Sequence, residues 1–393
     1  MPPLSRFVFG ALETRRPAWL ILALAQLRGA PGQAAVSLAA IVSSFSLMVA
    51  MVIMVASFRQ SVGEWLDAVL PADLYVRTTL AGDTGYLDPR LASRLRALPQ
   101  VERVDFLRSS RVLLDAARPP VVLIARDHAA KAFPRVGREY ERRLGDPPAV
   151  WVSEAMVDLY GLSPSQLVQL PLAGKEIDFV VAGVFRDYAR QHGAILLDRE
   201  DYAAATGDDK VNDAALWLKP GASVASAMDA IRALPGGSDL DLAEPGDIRR
   251  LSLRIFDRSF AVTYAMEAVA VLVGLIGLSS SLGAIVLARR REFGVLRHLG
   301  LPRRQIAAML AAEGGLLALL GAVAGLLSGG AMSLILVRVV NRQSFSWSME
   351  MHVPLLALAG LALALLVLAV ATAWGSAREA TGMGPVRAVR EDW

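Results

Sequence analysis

Four long runs of uncharged, mainly apolar residues divide the chain. They cover residues 34–58, 268–288, 314–337 and 353–377. About 20 helical residues cross a hydrocarbon core of ~30 Å, so each run is long enough to be a transmembrane helix. The second and third patterns begin before these runs, and the predicted spans are therefore 34–58, 259–288, 306–337 and 353–377. We expect the first span to remain in the chain, because it is too long for the apolar part of a signal peptide.

Residues 59–258, between the first two spans, carry shorter patterns of a different kind. Asp88 followed by Pro89 predicts the start of a helix, with the aspartate as its N-cap. Ser153 predicts the N-cap of another helix, which ends at Gly161. Helices as short as these are typical of a water-exposed domain rather than of membrane spans.

Strand-like segments surround these helices. Residues 167–172 and 176–185, separated by Ala173-Gly174-Lys175, predict a β-hairpin. From residue 194 to residue 234, segments follow in the order strand, helix, strand, helix. The predicted fold class is therefore a membrane protein with four transmembrane α-helices and a large α/β extracytoplasmic domain between helices 1 and 2.

Charge is distributed unevenly between this domain and the short segments. Residues 59–258 hold 26 basic and 29 acidic side chains, whereas the rest of the chain holds 15 and 8. Of those 15 basic residues, 13 lie in residues 1–33, 289–305 and 378–393. Short basic segments beside spans stay in the cytoplasm, which predicts that both termini and residues 289–305 are cytoplasmic. The domain 59–258 and the short loop 338–352 are then external.

The overall composition agrees with a membrane protein. Hydrophobic residues make up 54% of the chain, and the mean hydropathy is +0.43. The pI of about 9.5 reflects topology rather than nucleic-acid binding, because no basic patch with interleaved aromatic residues is present. Nucleic acid is therefore not an expected partner.

The sequence offers little catalytic chemistry. It has no cysteine, and it lacks the P-loop, G-x-S-x-G and H-E-x-x-H motifs. The four histidines are scattered without the spacing of metal ligands. Glu267 and Glu313 lie near the starts of the predicted spans, where an interfacial position is a simpler interpretation than a proton relay. We expect a non-enzyme with no catalytic residue, cofactor or metal site.

The third predicted span contains a regular repeat of glycine. Gly321, Gly325 and Gly329 recur at every fourth residue, which places them on one face of a helix. Such a face lets a second helix approach closely, because no side chains stand between the two backbones. We expect these three glycines to form a helix-packing surface.

The connection between the second and third spans, residues 289–305, is the most distinctive stretch. It carries six arginines and a single acid, Glu292. Phe293, Leu296 and the pair Leu299-Gly300 recur at helical spacing, which predicts an apolar ridge on a short helix that ends at Gly300. Two interpretations remain open: a basic loop that only fixes topology, or a helix that docks on a partner.

This stretch resembles a known family. The residues RRREFGVLRHLGLPRRQI, followed by EGGLLALLGAVAGLLSG, are similar to the signature of FtsX-like permeases, the membrane subunits of MacB-type ABC transporters. The segment LALAQLRGAPGQAAVSLAAI resembles the interfacial elbow and first span of that family, and LPADLYVR, LPQVERVDFLR and FVVAGVFRDY resemble its extracytoplasmic domain. The ending GPVRAVRED is also similar.

The resemblance implies a function. Such a permease subunit couples ATP hydrolysis by a separate cytoplasmic ABC ATPase to export or extraction of an amphipathic substrate: a lipoprotein, lipid, peptide or drug. In that family the turn between these spans is the coupling helix, which contacts the ATPase. The residues that match it are Arg291, Glu292, Phe293, Leu296, Leu299 and Gly300.

The resemblance also implies partners and a location. We expect a homodimer or a heterodimer of permease halves in the bacterial inner membrane, in contact with membrane lipid and with a periplasmic adaptor or substrate protein. The chain resembles both a free-standing four-span subunit and the second half of a longer permease. The alternative function is that of cell-division FtsX proteins, which regulate an extracytoplasmic hydrolase without transport. The large size of residues 59–258 favours transport.

Overall fold

The structure is a computed structural model that describes residues 31–78, 85–129, 133–288 and 290–382. The chain divides into two compact units, and each unit takes up several separate segments. The helical unit comprises the described parts of Met1–Ala56, Phe260–Leu336 and Met351–Trp393. The sheet unit comprises the described parts of Ser57–Ser259 together with Val337–Glu350.

The helices of the described residues include four long ones. In chain order they are α1 (Pro31–Val69), α2 (Pro89–Arg96), α3 (Glu154–Tyr160), α4 (Arg199–Thr206), α5 (Val224–Arg232), α6 (Pro245–Ala288), α7 (Arg290–His298), α8 (Arg303–Ile335), α9 (Asn341–Phe345) and α10 (Leu355–Gly382). A short 3-10 helix covers Gly237–Asp239, and a π-helical turn, Leu336–Val340, joins α8 to α9.

Three helical segments among the described residues are long and apolar enough to cross a membrane. They are Leu38–Val69, Arg303–Phe345 and Leu355–Arg378. The predicted span 259–288 lies within the continuous helix α6, several of whose side chains fall outside the described set. The fold therefore has several span-capable helices, and the fourth span stays a prediction.

Two of the long helices extend past the predicted ends of their spans. Helix α1 continues beyond residue 58 to Val69, and α6 begins at Pro245. The extension of α1 is amphipathic, because Val62 and Leu66 are buried whereas Glu64 is exposed. The predicted first span ended at residue 58, and no helix was predicted over residues 59–69. Burial of this apolar face within the sheet unit continues the helix instead.

Ten strands of the described residues form one mixed sheet in the sheet unit. They are β1 (Leu74–Thr78), β2 (Val101–Val112), β3 (Val121–Arg126), β4 (Arg135–Val136), β5 (Ala149–Ser153), β6 (Leu167–Leu172), β7 (Lys175–Phe185), β8 (Ala194–Asp198), β9 (Asp213–Leu218) and β10 (Leu240–Ala243). Their order is β10-β1-β9-β2-β3-β8-β5-β7-β4, and β6 pairs with β7. Only β3–β8 and β5–β7 pair in parallel among these strands.

The sheet carries more than one apolar cluster among the described residues. One lies around β3, β5, β7 and β8 and includes Phe179, Ile195 and Met156 of α3. A second lies around the same four strands. A third lies around β1, β2 and β9 and includes Leu74 and Leu95 of α2. Together with its helices, this sheet confirms the predicted α/β class of the domain.

Local signals in this domain have different outcomes. The Asp88 carboxylate accepts a hydrogen bond of 2.7 Å from the amide of Arg90, so the predicted N-cap is confirmed. The predicted hairpin is confirmed as β6 and β7. Ser153 does precede α3, but its hydroxyl does not cap that helix. It accepts a hydrogen bond from the amide of Ala194 in the neighbouring strand β8 instead, at 2.9 Å.

Candidate functional site

The predicted short helix of the 289–305 stretch is α7, and its end is fixed by backbone chemistry. Gly300 has a φ of +94°, a left-handed conformation that glycine adopts without strain. The amide of Gly300 donates to the carbonyl of Arg297 at 3.1 Å, and the amide of Leu301 donates to that of Leu296 at 3.0 Å. These two bonds form a Schellman motif. The predicted helix end at Gly300 is therefore confirmed.

One side of α7 faces into the helical unit. Phe293 is only 2% exposed and packs in a cluster with Ile306 and Leu310 of α8 and Ala377 of α10. Leu296 is half-buried against the same cluster. Burying an aromatic side chain stabilises a structure by roughly 1.5–3 kcal/mol. The apolar side of α7 therefore joins this helix firmly to both α8 and α10.

The other side of α7 faces outward. Val295 is 59% exposed and Leu299 is 73% exposed. Glu292 is exposed as well, and its spacing of three residues from Val295 places all three side chains on one face. Arg303 and Arg304, at the start of α8, are exposed. The outward face thus combines two apolar side chains with an acid and nearby arginines.

The predicted coupling residues therefore fall into two groups. Glu292, Leu299 and Gly300 are exposed, whereas Phe293 and Leu296 contact their own chain. The sequence predicted that Phe293, Leu296 and the pair Leu299-Gly300 form one apolar ridge, with docking on a partner as one of two open interpretations. In the structure, Phe293 and Leu296 pack against α8 and α10, whereas Leu299 is exposed. The side chain of Arg291 lies outside the described residues.

Sequence reasoning missed the residues that hold α7 from inside. Ala377 is fully buried beside Phe293, and Trp374 packs on the same cluster. Both come from α10, about 80 residues further along the chain. No periodicity within residues 289–305 identifies so distant a partner. A small residue in the last turns of an apolar helix was the only available signal.

The three glycines of α8 all face α1 within the helical unit. An added Cβ would lie 2.5 Å from Cγ2 of Ile41 at Gly321, and 2.8 Å from Cδ1 of Phe45 at Gly325. At Gly329 it would lie 2.6 Å from the backbone oxygen of Ser46. Real Cβ atoms do not approach other atoms this closely. The repeat therefore gives α1 room to pack directly on the α8 backbone.

Glu313 lies on α8, between the cluster around Phe293 and the glycine repeat. It is 7% exposed, where an interfacial position had been expected. This part of α8 is covered, since Leu310 and Ala312 pack in the cluster shared with α7 and α10. The side chain of Glu267 lies outside the described residues.

Comparison with protein families matches both parts of the chain. The profile of the MacB-like periplasmic core domain matches residues 34–234. The profile of the C-terminal part of FtsX-like permeases matches residues 264–385. The second match contains α7, α8 and α10, and the first contains most of the sheet.

Two curated relatives are similar to the chain. One is an uncharacterised ABC transporter permease of Mycobacterium tuberculosis, 30% identical over 377 residues, which cover 89% of this chain and 43% of the relative. The other is an uncharacterised ABC transporter permease of Methanocaldococcus jannaschii, 22% identical over 228 residues, which cover 55% of this chain and 56% of the relative. The chain thus spans about half the length of the curated relatives that it matches.

A solved structure also matches. It is the periplasmic region of MacB from Actinobacillus actinomycetemcomitans, with 10% sequence identity and a TM-score of 0.35. The match covers 47% of this chain and 94% of that one. Because the periplasmic-core profile matches about half of the chain and the permease profile most of the remainder, the chain belongs to the FtsX-like, MacB-type family of ABC transporter permeases.

Proposed function

We propose that this chain couples ATP hydrolysis on a separate cytoplasmic ATPase to export or extraction of an amphipathic substrate. Permeases of this family are non-catalytic subunits, and membership implies an ATPase partner. The observation that carries the proposal is the two-sided packing of α7. Val295 and Leu299 are exposed, whereas Phe293 is buried against α8 and α10.

This arrangement suits a helix that receives force. A partner that binds the outward face of α7 moves Phe293 as well, because both faces belong to one short helix. Close-packed side chains transmit displacement, since interiors have low compressibility. Movement of the ATPase is therefore passed to α8 and α10 through the cluster around Phe293. A basic loop that only set topology would need no buried aromatic anchor.

The remaining parts of the proposal concern assembly and location. We place the chain in the bacterial inner membrane, as a multi-pass protein with both termini in the cytoplasm and the sheet unit outside. We propose a dimer of permease halves, either identical or different, in contact with membrane lipid. The substrate class of lipoproteins, lipids, peptides or drugs follows from family resemblance, and a periplasmic adaptor is a further proposed partner.

We expect Leu299→Asp and Val295→Asp to abolish most co-purification of the ATPase. The reason is that apolar residues near the centre of an interface carry most of its binding energy, often about 2 kcal/mol or more each. A loss of that size weakens binding about 30-fold. Co-purification from membranes and ATPase stimulation are the measurements.

A matched control is Leu144→Asp, the same change at a leucine that is fully exposed in the sheet unit. We expect this variant to bind the ATPase like the parent. Unchanged binding and hydrolysis in the Val295 and Leu299 variants would return α7 to the interpretation of a topology-setting basic loop.

We expect cysteine labelling to reveal the orientation in the membrane. The chain has no cysteine, so Leu299→Cys and Lys210→Cys each introduce a single thiol at an exposed position. In intact cells, an impermeant maleimide is expected to label position 210 and not position 299. After permeabilisation of cells that lack the ATPase, both positions are expected to react. The reverse pattern in intact cells would contradict the orientation.

A further inference from the structure

Helix α10 carries an open apolar groove along one side. Its lining residues are Leu366, Val367, Val370, Ala371 and Trp374. They recur at helical spacing, so they form a single stripe along the helix axis. We call this stripe the α10 groove. From Leu366 to Trp374 the groove is about 12 Å long, since an α-helix rises by about 1.5 Å per residue.

The α10 groove lies on the least covered of the span-capable helices. Among the described residues, 11% of the apolar segment of α10 is buried, against 44% for α1 and 33% for α8. In the groove itself, Val367 is 58% exposed and Val370 is 39% exposed. One leaflet of a ~30 Å hydrocarbon core is about 15 Å deep. The groove therefore has a length close to that of one leaflet.

Helix α8 flanks the groove near its middle. An added Cβ at Gly315 of α8 would lie 3.1 Å from Cγ2 of Val370. Such a contact is tighter than most real Cβ contacts, so a side chain at position 315 would displace Val370. The glycine therefore lets the α8 backbone lie beside the groove without disturbing its lining.

A cation and an aromatic ring lie at one end of the α10 groove. Arg378 follows Trp374 by one helical turn, and its Cζ lies 5.7 Å from the centroid of the indole ring. The indole also packs on the cluster around Phe293, which fixes its position. Tryptophan and arginine are typical of the boundary between hydrocarbon and lipid headgroups. The N–H groups of a guanidinium lie around its edge, where a phosphate binds in a bidentate manner.

The exposed charges at this end of the helical unit are mainly positive. The start of α8 lies at the same end, because Ile306 packs in one cluster with Ala377. Arg303 and Arg304 are exposed there, whereas Glu292 of α7 is the exposed acid among the described side chains. A surface of this sign attracts anionic lipid and repels the ammonium group of a zwitterionic one.

We propose that the α10 groove is a binding site for one anionic phospholipid. Its acyl chain lies along the apolar lining, and its phosphate is held by Arg378 beside Trp374. In the proposed orientation, the lipid belongs to the cytoplasmic leaflet. This inference rests on the proposed function for placing α10 in a membrane, and it adds the class of lipid and the place where it binds.

The first test measures headgroup preference on the purified full-length chain in detergent. The chain is titrated with phosphatidylglycerol or with phosphatidylcholine of the same acyl chains, and bound lipid is counted by native mass spectrometry. We expect phosphatidylglycerol to bind about tenfold more tightly. Inorganic phosphate is expected not to compete, because it has no acyl chain to place in the groove.

Two variants separate the headgroup from the acyl chain. Arg378→Gln is expected to weaken phosphatidylglycerol binding by about tenfold and to remove the preference over phosphatidylcholine. Ala371→Trp fills the groove and is expected to weaken binding of both lipids. Both substitutions change exposed residues, so the thermal midpoint is expected to stay unchanged.

Each variant has a matched control. Arg304→Gln removes the same charge from an exposed residue at the same end of the helical unit. Ala359→Trp makes the same enlargement at an exposed residue of α10 outside the groove. Both controls are expected to bind both lipids within about twofold of the parent, because distant exposed charges are screened and the groove is unaltered.

A second test locates the lipid in a bilayer. Phosphatidylglycerol with a photoreactive acyl chain is added to nanodiscs that contain the chain, and the cross-linked peptides are identified. We expect cross-links within residues 366–374 of the parent and their loss in Ala371→Trp. Val367→Cys introduces a single thiol into this cysteine-free chain and is expected to form no disulfide between two copies.

Every outcome decides for or against the site. Equal affinity of the parent for the two lipids, unchanged binding in Arg378→Gln, competition by inorganic phosphate, or cross-links confined to other helices would overturn it. A disulfide at position 367 would show that a second copy covers the groove, which would also overturn it. ATPase stimulation of the parent is measured in parallel. A parent that binds phosphatidylglycerol in the groove but neither binds nor stimulates the ATPase contradicts the proposed coupling and leaves the lipid site standing.

Discussion

Gly329→Ala is expected to destabilise the helical unit strongly, although it adds only one methyl group. The added methyl group would lie 2.6 Å from the backbone oxygen of Ser46 and 2.7 Å from Cβ of Val49. Neither atom belongs to a flexible side-chain end, so α1 and α8 must move apart. Overpacking of this kind costs about 1–3 kcal/mol. The thermal midpoint of the chain in detergent is the measurement.

The neighbouring glycine provides the control. A Cβ at Gly330 would have no atom within 4 Å, and Gly330→Ala is therefore expected to leave the midpoint unchanged. Gly325→Ala is expected to fall between the two, because its obstacle is the ring of Phe45, a side chain that is able to turn. Equal midpoints for the Gly329 and Gly330 variants would contradict the close packing of α1 on α8.

Phe293→Ala is expected to destabilise the α7 turn more than Leu299→Ala does. The substitution empties a site that is 2% exposed and packed on Ile306, Leu310 and Ala377. Removing a buried phenylalanine costs about 3–5 kcal/mol. We therefore expect a lower thermal midpoint and, if the chain still inserts and binds the ATPase, loss of ATPase stimulation.

Leu299→Ala tests binding of the ATPase with little effect on the stability of the chain. Because Leu299 is 73% exposed, its truncation is expected to change stability by no more than about 0.5 kcal/mol. Binding of the ATPase is expected to weaken nevertheless. If Phe293→Ala left the midpoint unchanged, or if Leu299→Ala lowered it as much, the assignment of inner and outer faces of α7 would be wrong.

Features that depend on neighbours in sequence were predictable. Asp88 caps α2 because the carboxylate and the amide it accepts from are only two residues apart. The Schellman motif at Gly300 closes within six residues. The glycine repeat of α8 indicated a packing face, since every fourth residue of a helix lies on one side.

The orientation of α7 was not predictable by the same reasoning. Phe293 and Leu296 form one apolar stripe, and Val295 and Leu299 form another, so two faces have similar hydrophobicity. The choice between them depends on Ile306 and Ala377, which lie outside the helix. Hydrophobic spacing indicates that a face is buried, but not which element covers it.

Other features were missed because they are short or locally polar. Strand β4 contains two residues, Arg135–Val136, and exists because β7 offers it hydrogen bonds. The extension of α1 beyond residue 58 contains Arg59, Glu64 and Asp67, which resemble the end of a span. Burial of Val62 and Leu66 in the sheet unit overrides that local signal.

The packing of α1 on the α8 glycines restricts the insertions that α1 tolerates. Within the helical unit, Ile41, Phe45 and Val49 of α1 lie in turn beside the three glycines of α8. An α-helix turns by about 100° per residue. Inserting one residue between Ile41 and Val49 would therefore rotate one end of this contact surface out of phase with the other. Insertions of three or four residues come closer to a whole turn. The helical phase of α1 thus restricts length changes that the surface loops of the sheet would accept.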